Sequence, residues 1–190
     1  MSHRGRHLLL ALAATASLAA AGCGNKEEEV REGGTEGIYV TVNELKYQVQ
    51  ISRILNPGEI EDQGYLRGLP EGEETQPAED EVWFGVFMRV ENDKEEPHAT
   101  ATEFEIEDTQ GDTFEPLEIP YEENLFAYDP APELRPETIY PLFNSAAADN
   151  TIRGGLLLFK LKADALYNRP LELRIIDPEG EADAVVNIDV

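Results

Sequence analysis

Residues 45–52 read LKYQVQIS, and their alternation is strict. Leu45, Tyr47, Val49 and Ile51 fall on one side of an extended chain and Lys46, Gln48, Gln50 and Ser52 on the other, which is the period of a strand with one buried face. The same period recurs at Thr102, Phe104 and Ile106, interleaved with Glu103, Glu105 and Glu107, then at Leu171, Leu173 and Ile175, and finally at Val186, Ile188 and Val190. Beyond residue 37 no segment sustains a period of 3.6, and residues 162–167 suffice for one helical turn at most. Two stretches, VWFGVFMRV at 82–90 and LLLFKL at 156–161, are apolar on both faces and are predicted as central strands covered on both sides. Turn chemistry separates the strands at Asn92-Asp93-Lys94, at DTQGD (108–112) and at DPEG (177–180). Seven or eight short strands with no helix to cover a sheet predict an all-β domain, an immunoglobulin-like two-sheet antiparallel β-sandwich.

Ahead of that domain the chain follows a different grammar. Arg4 and Arg6 precede an uncharged run of Leu, Ala, Thr and Ser from residue 8 to residue 21, the pattern of an export signal. The run is too short for a bilayer core, which takes about 20 apolar residues. It ends LAAAGC at 18–23, which resembles the lipobox of bacterial lipoproteins. The resemblance implies that residues 1–22 are removed and that Cys23 is diacylated as the first residue of the mature protein. Residues 19–21 also fit a small-x-small cleavage site, which leaves a secreted product as the alternative. Cys23 is the single cysteine, so the domain has no intramolecular disulfide. Residues 24–37, GNKEEEVREGGTEG, are too polar to bury a core and read as a flexible tether. Fully extended they would reach about 50 Å. The division is therefore signal peptide 1–22, lipidated Cys23 with an acidic linker to residue 37, and one sandwich domain over 38–190, a length suited to a single core.

Without the signal peptide the chain carries 13 basic and 39 acidic side chains, a net charge of −26. Such a surface repels phosphate backbones, which argues against nucleic acid as a partner. It equally disfavours adsorption on anionic lipid, so attachment to the membrane is expected through the covalent lipid. The expected location is the extracytoplasmic face of the cell membrane.

Residues 80–92, DEVWFGVFMRVEN, followed by FEIED at 104–108 with its Gly111 turn and by GGLLLF at 154–159, resemble the immunoglobulin-like, telokin-like domain of unknown function common in Gram-positive lipoproteins. The resemblance spans roughly residues 38–190 and implies a β-sandwich of the cell envelope. It brings no catalytic residues. The connection from Pro57 to Asp80 is longer and more acidic than that family shows.

The residues give little purchase to catalysis. After the signal peptide His98 is the only histidine, placed behind Glu95-Glu96-Pro97 and expected in a solvated turn. One histidine without a domain cysteine cannot make a His-based zinc site, and neither Ser52 nor Ser145 sits in a nucleophile elbow. No phosphate-binding glycine loop occurs. We expect no enzyme, no cofactor and no metal. Two regions suggest binding instead. Residues 71–81, EGEETQPAEDE, concentrate carboxylates that a hard cation such as calcium would want, although their spacing matches no calcium loop. From Pro116 to Phe143 prolines alternate with aromatic residues, of which Tyr121, Phe126, Tyr128 and Tyr140 are the candidate partner-binding side chains. The competing reading is that these rings close the open edge of the sandwich. The expected role is a non-catalytic binding module for an envelope protein or cell-wall partner, with a calcium-binding envelope protein as the alternative.

Overall fold

The alternating segments become strands in the computed structural model, which describes residues 29–180 and 182–188. In chain order they are β1 (Glu32–Gly33), β2 (Tyr39–Val42), β3 (Leu45–Leu55), β4 (Glu81–Asn92), β5 (His98–Ala99), β6 (Phe104–Glu107), β7 (Thr113–Phe114), β8 (Glu133–Leu134), β9 (Thr138–Tyr140), β10 (Gly155–Lys162), β11 (Leu171–Ile175) and β12 (Ala184–Ile188). One sheet runs β1-β12-β11-β6-β7. The other runs β10-β4-β3-β2, with β9 continuing the place of β10 along β4. A separate small ladder joins β5 to β8. Among the strands so named every pairing is antiparallel except that of β1 with β12. Taken along the chain, β3, β4 and β10 occupy the A, B and E places of an immunoglobulin sandwich, and β6, β7, β11 and β12 occupy C, C′, F and G. The all-β two-sheet architecture that the alternation called for is what the chain forms.

The inner core lies between the sheets. Tyr47 and Val49 of β3, Phe84, Val86 and Met88 of β4, and Phe159 and Leu161 of β10 meet Ile106, Leu171, Leu173 and Val186 of the opposite sheet. A side chain such as Phe159, fully buried here, contributes about 1.5–3 kcal/mol by leaving water. Gly155 is set by this packing, because a Cβ at that position would stand 2.5 Å from the Tyr140 hydroxyl oxygen.

The second apolar face of β4 and β10 is covered as well. Leu55, Trp83, Phe87, Leu156 and Leu158 form an outer core with Tyr65 and Leu66, against which Leu69, Leu117, Ile119, Phe126 and Ile152 pack. The cover consists of the two long connections, 56–80 and 115–152. Its helices α1 (Ile60–Gln63) and α2 (Ala146–Asp149) are single turns, and a 3-10 turn at Ala163–Tyr167 follows β10. Polar groups pin the cover in place. Arg53 pairs with buried Asp62, which also accepts from the Asn56 amide at 2.7 Å. The Trp83 indole donates to Thr75 O at 2.8 Å. Asn124 donates to the carbonyls of Tyr65 and Arg67 at 2.9 and 3.1 Å.

Three expectations need correction. Ile51 does not share the buried face of Leu45, Tyr47 and Val49. The β3–β4 register shifts between Val49 and Ile51, a bulge that turns Ile51 outward at 37% exposure and buries Ser52. The boundary at residue 38 is also late. Thr41 N donates to Val30 O, Val185 N to Arg31 O, and β1 pairs with β12, so the domain begins near residue 30 and the linker expected over 23–37 shortens accordingly. These residues dock because backbone pairing with the free edge of β12 satisfies amides that a tether would leave to water. His98, expected in a turn, lies instead on half-buried β5, paired with Leu134. Cys23, the signal segment and Val190 lie outside the described residues.

Candidate ligand-binding cleft

The site is created where the chain changes sheets. On β7, Thr113 and Phe114 pair with Glu107 and Ile106 of β6. Two residues later Pro116, which has no N–H to offer a ladder, is bridged to Phe159 of β10, and Leu117 N donates to Leu158 O at 2.8 Å. Further on, Phe126 O accepts from Leu156 N at 2.7 Å and Tyr128 N donates to Leu156 O at 2.9 Å. The free edge of β10 is thus held by segments 116–117 and 126–128, while the edge of β6 on the other sheet is left behind. Between the two edges a cleft of about 620 Å³ opens.

Its floor is apolar, with Phe104, Tyr128, Leu156 and Leu157. Its rim carries four glutamates, Glu103, Glu105, Glu115 and Glu118, and no basic residue lines it among the described residues. Glu105 stands 3.9 Å from Arg174. Glu103, Glu115 and Glu118 form no ion pair among the described residues. An opening of one sign over low-dielectric walls focuses its field outward and concentrates cations. The arrangement suits a ligand that combines positive charge with an apolar body.

The four aromatic candidates are dispersed. Tyr128 reaches the cleft floor but is locked there. Its ring meets Phe104 and Tyr140 edge-on, at 5.1 and 5.3 Å between centroids, and its hydroxyl donates to Ala101 O at 3.1 Å. Tyr140 is buried; its hydroxyl accepts from Asp129 N at 2.9 Å and donates to Ala127 O at 3.2 Å. Phe126 packs edge-on against Tyr65 at 5.0 Å in the outer core. Tyr121 lines a separate hollow of about 240 Å³ beside Tyr140 and Leu142. Three of the four therefore close the sandwich, which is the competing reading. Burial pushes the Tyr47 hydroxyl up to about 12, and burial likewise raises Tyr128 and Tyr140. The hydroxyls stay protonated and serve as internal hydrogen-bonding groups.

The acidic loop is engaged elsewhere. Glu73 pairs with Lys160 at 2.5 Å, while Asp80 and Glu81 meet Lys162 at 3.2 and 3.0 Å. A hydrogen bond from Lys162 lowers the pKa of both Asp80 and Glu81. Among the described residues no group of three or more His, Cys, Asp or Glu is placed to hold a metal ion. Ser145 caps α2 by accepting from Ala148 N at 3.2 Å, and the Ser52 hydroxyl bonds Glu36.

Glu103 and Glu105 escaped the sequence reading because EFEIE at 103–107 looks like any strand with an acidic outer face. Only the departure of the chain at Pro116 exposes them as one side of a cleft.

No family model matches the sequence, and no curated protein matches it. Among solved structures the chain is similar to an uncharacterized beta-sandwich protein from Clostridium difficile 630, at 10% sequence identity and a TM-score of 0.44, over 86% of this chain and 98% of that one.

Proposed function

We propose that the protein is an envelope lipoprotein, held outside the membrane by acyl groups on Cys23, whose sandwich is a non-catalytic binding module with the cleft between β6 and β10 as its ligand site. The observation that carries the reading is the combination of an apolar floor with a rim of four glutamates and no basic residue among those described. The anchor rests on the LAAAGC segment ahead of the charged linker, and the telokin-like resemblance supports an envelope setting.

Both parts can be tested. Mass spectrometry of the mature N-terminus should find a lipidated Cys23 in the membrane fraction; an unmodified residue with product released to the medium would replace the anchor with secretion. Charge reversal at the rim, Glu103→Lys with Glu118→Lys, should abolish uptake of a dye-labelled cationic amphiphilic peptide by the purified full chain. Uptake unchanged by that reversal would remove the cleft as the site.

A further inference from the structure

We infer that the occupant of the cleft is an extended polypeptide segment bearing lysine or arginine, which adds a short strand to the open edge of β6. This deepens the reading of the cleft as the binding site and rests on it.

The argument begins with ladder parity. Ile176 N donates to Glu103 O at 3.1 Å, so Glu103 and every second residue after it turn their amides toward β11. Phe104 and Ile106 turn theirs the other way. Ile106 finds its partner in Phe114 of β7. In the same register the partner of Phe104 would be Pro116, but Pro116 is bridged to Phe159 on the opposite sheet. The backbone N–H and C=O of Phe104 therefore face the cleft with no strand beside them, and Phe104 lines that cleft. A sheet edge left open in this way is a template for an added strand, in which main-chain bonds give affinity and alternate side chains give specificity.

Charge and polarity then specify the guest. On β6, Phe104 and Ile106 point to the core while Glu105, and Glu103 just ahead of the strand, lie on the other face. A strand laid beside it alternates in phase, so one set of guest side chains meets the apolar floor at Tyr128 and Leu157 and the other stands next to the glutamates. The complementary pattern alternates apolar and basic residues. Lysine and arginine fit further, because their aliphatic stems cover apolar surface while their charge stays at the rim. An acidic guest would meet Glu103, Glu115 and Glu118 without compensation.

The test uses the full chain extracted in detergent and a dye-labelled eight-residue peptide of alternating valine and lysine. Its controls are the valine–glutamate peptide, two isomers N-methylated on one or the other alternate set of amides, and spermine as a cation with no peptide backbone. We expect the valine–lysine peptide to bind at least about tenfold more tightly than the glutamate peptide at low salt. One N-methyl isomer should lose about tenfold or more through its missing donors. Hydrogen exchange at the Phe104 amide should slow on binding, and Glu103→Lys with Glu118→Lys should abolish the interaction. If both N-methyl isomers and spermine bind as well as the parent peptide and the Phe104 amide is undisturbed, the strand-addition inference falls while the cleft survives as a cation site. If neither the valine–lysine peptide nor spermine binds, the inference and the binding reading fall together.

Discussion

Both faces of β4 and β10 are dry, yet different parts of the chain make them so. The inner face meets another sheet, whose strands carry the same period of two, and side chains from the two layers interleave. The outer face meets no sheet. It is covered by the connections 56–80 and 115–152, which contribute Tyr65, Leu66, Ile119 and Phe126. The difference shows what a long, aromatic connection is for in this fold. Its rings are committed to closing a second core, and a cleft opens at the seam where that cover leaves β6 exposed.

Replacing one large aromatic side chain on each face tests whether the outer core is as integral as the inner one. Phe159→Ala inside and Trp83→Ala outside, both fully buried, should each cost about 3–5 kcal/mol in urea unfolding. A Trp83→Ala loss under about 1 kcal/mol would reduce the outer core to a loose flap. Alkaline titration comes next and probes the inner face. Tyr47, raised by burial to about 12 from the ordinary 10.0, is protonated in folded and unfolded chains below pH 10, where its contribution is whole. Between pH 10 and 12 the unfolded chain ionises first, and stability should fall by about 2–3 kcal/mol from this residue. The Tyr47→Phe variant should flatten that part of the pH profile; an unchanged slope would contradict it.

Smaller effects separate the anchors of the cover from its surface. Asn124→Ala leaves the carbonyls of Tyr65 and Arg67 without their donor, a loss of about 1–3 kcal/mol that should appear as faster hydrogen exchange across the two connections first. Lys160→Met removes the ion pair with Glu73 and should change stability by about 1 kcal/mol or less, because the pair is partly exposed. Least of all, Glu118→Gln on the cleft rim should leave the unfolding midpoint within about 0.5 kcal/mol of the parent while weakening cationic peptide binding. A large stability loss there would mean that the rim is structural.

The inner core was legible because its signal is local. Val49, Ile106 and Val186 announce their faces through neighbours two residues away, and a sandwich follows from such strands alone. The outer core was half legible. Trp83, Phe87, Leu156 and Leu158 show that a second face must be covered, but no local period says that Tyr65 and Phe126 cover it. Tyr65 meets Phe126 across 61 positions of sequence, at 5.0 Å, and only the folded chain brings them together. The bulge at Ile51 was hidden for a related reason, since an inserted residue leaves the alternation intact on paper and reverses it in space. The cleft was least legible, because it depends on Pro116 leaving one sheet for the other.

The two-residue strand β1 moves the start of the fold toward the N-terminus. Since Val30 O already accepts from Thr41 N, the docked chain begins seven positions after Cys23, which allows a separation of at most about 25 Å, half of what a boundary at residue 38 would allow. β1 and β7 form opposite borders of one sheet, some four strand spacings or about 19 Å apart. Under the proposed lipidation of Cys23, the β1 border would lie nearer the bilayer and the cleft border farther from it. A force applied between the two borders would travel crosswise through successive hydrogen-bonded ladders.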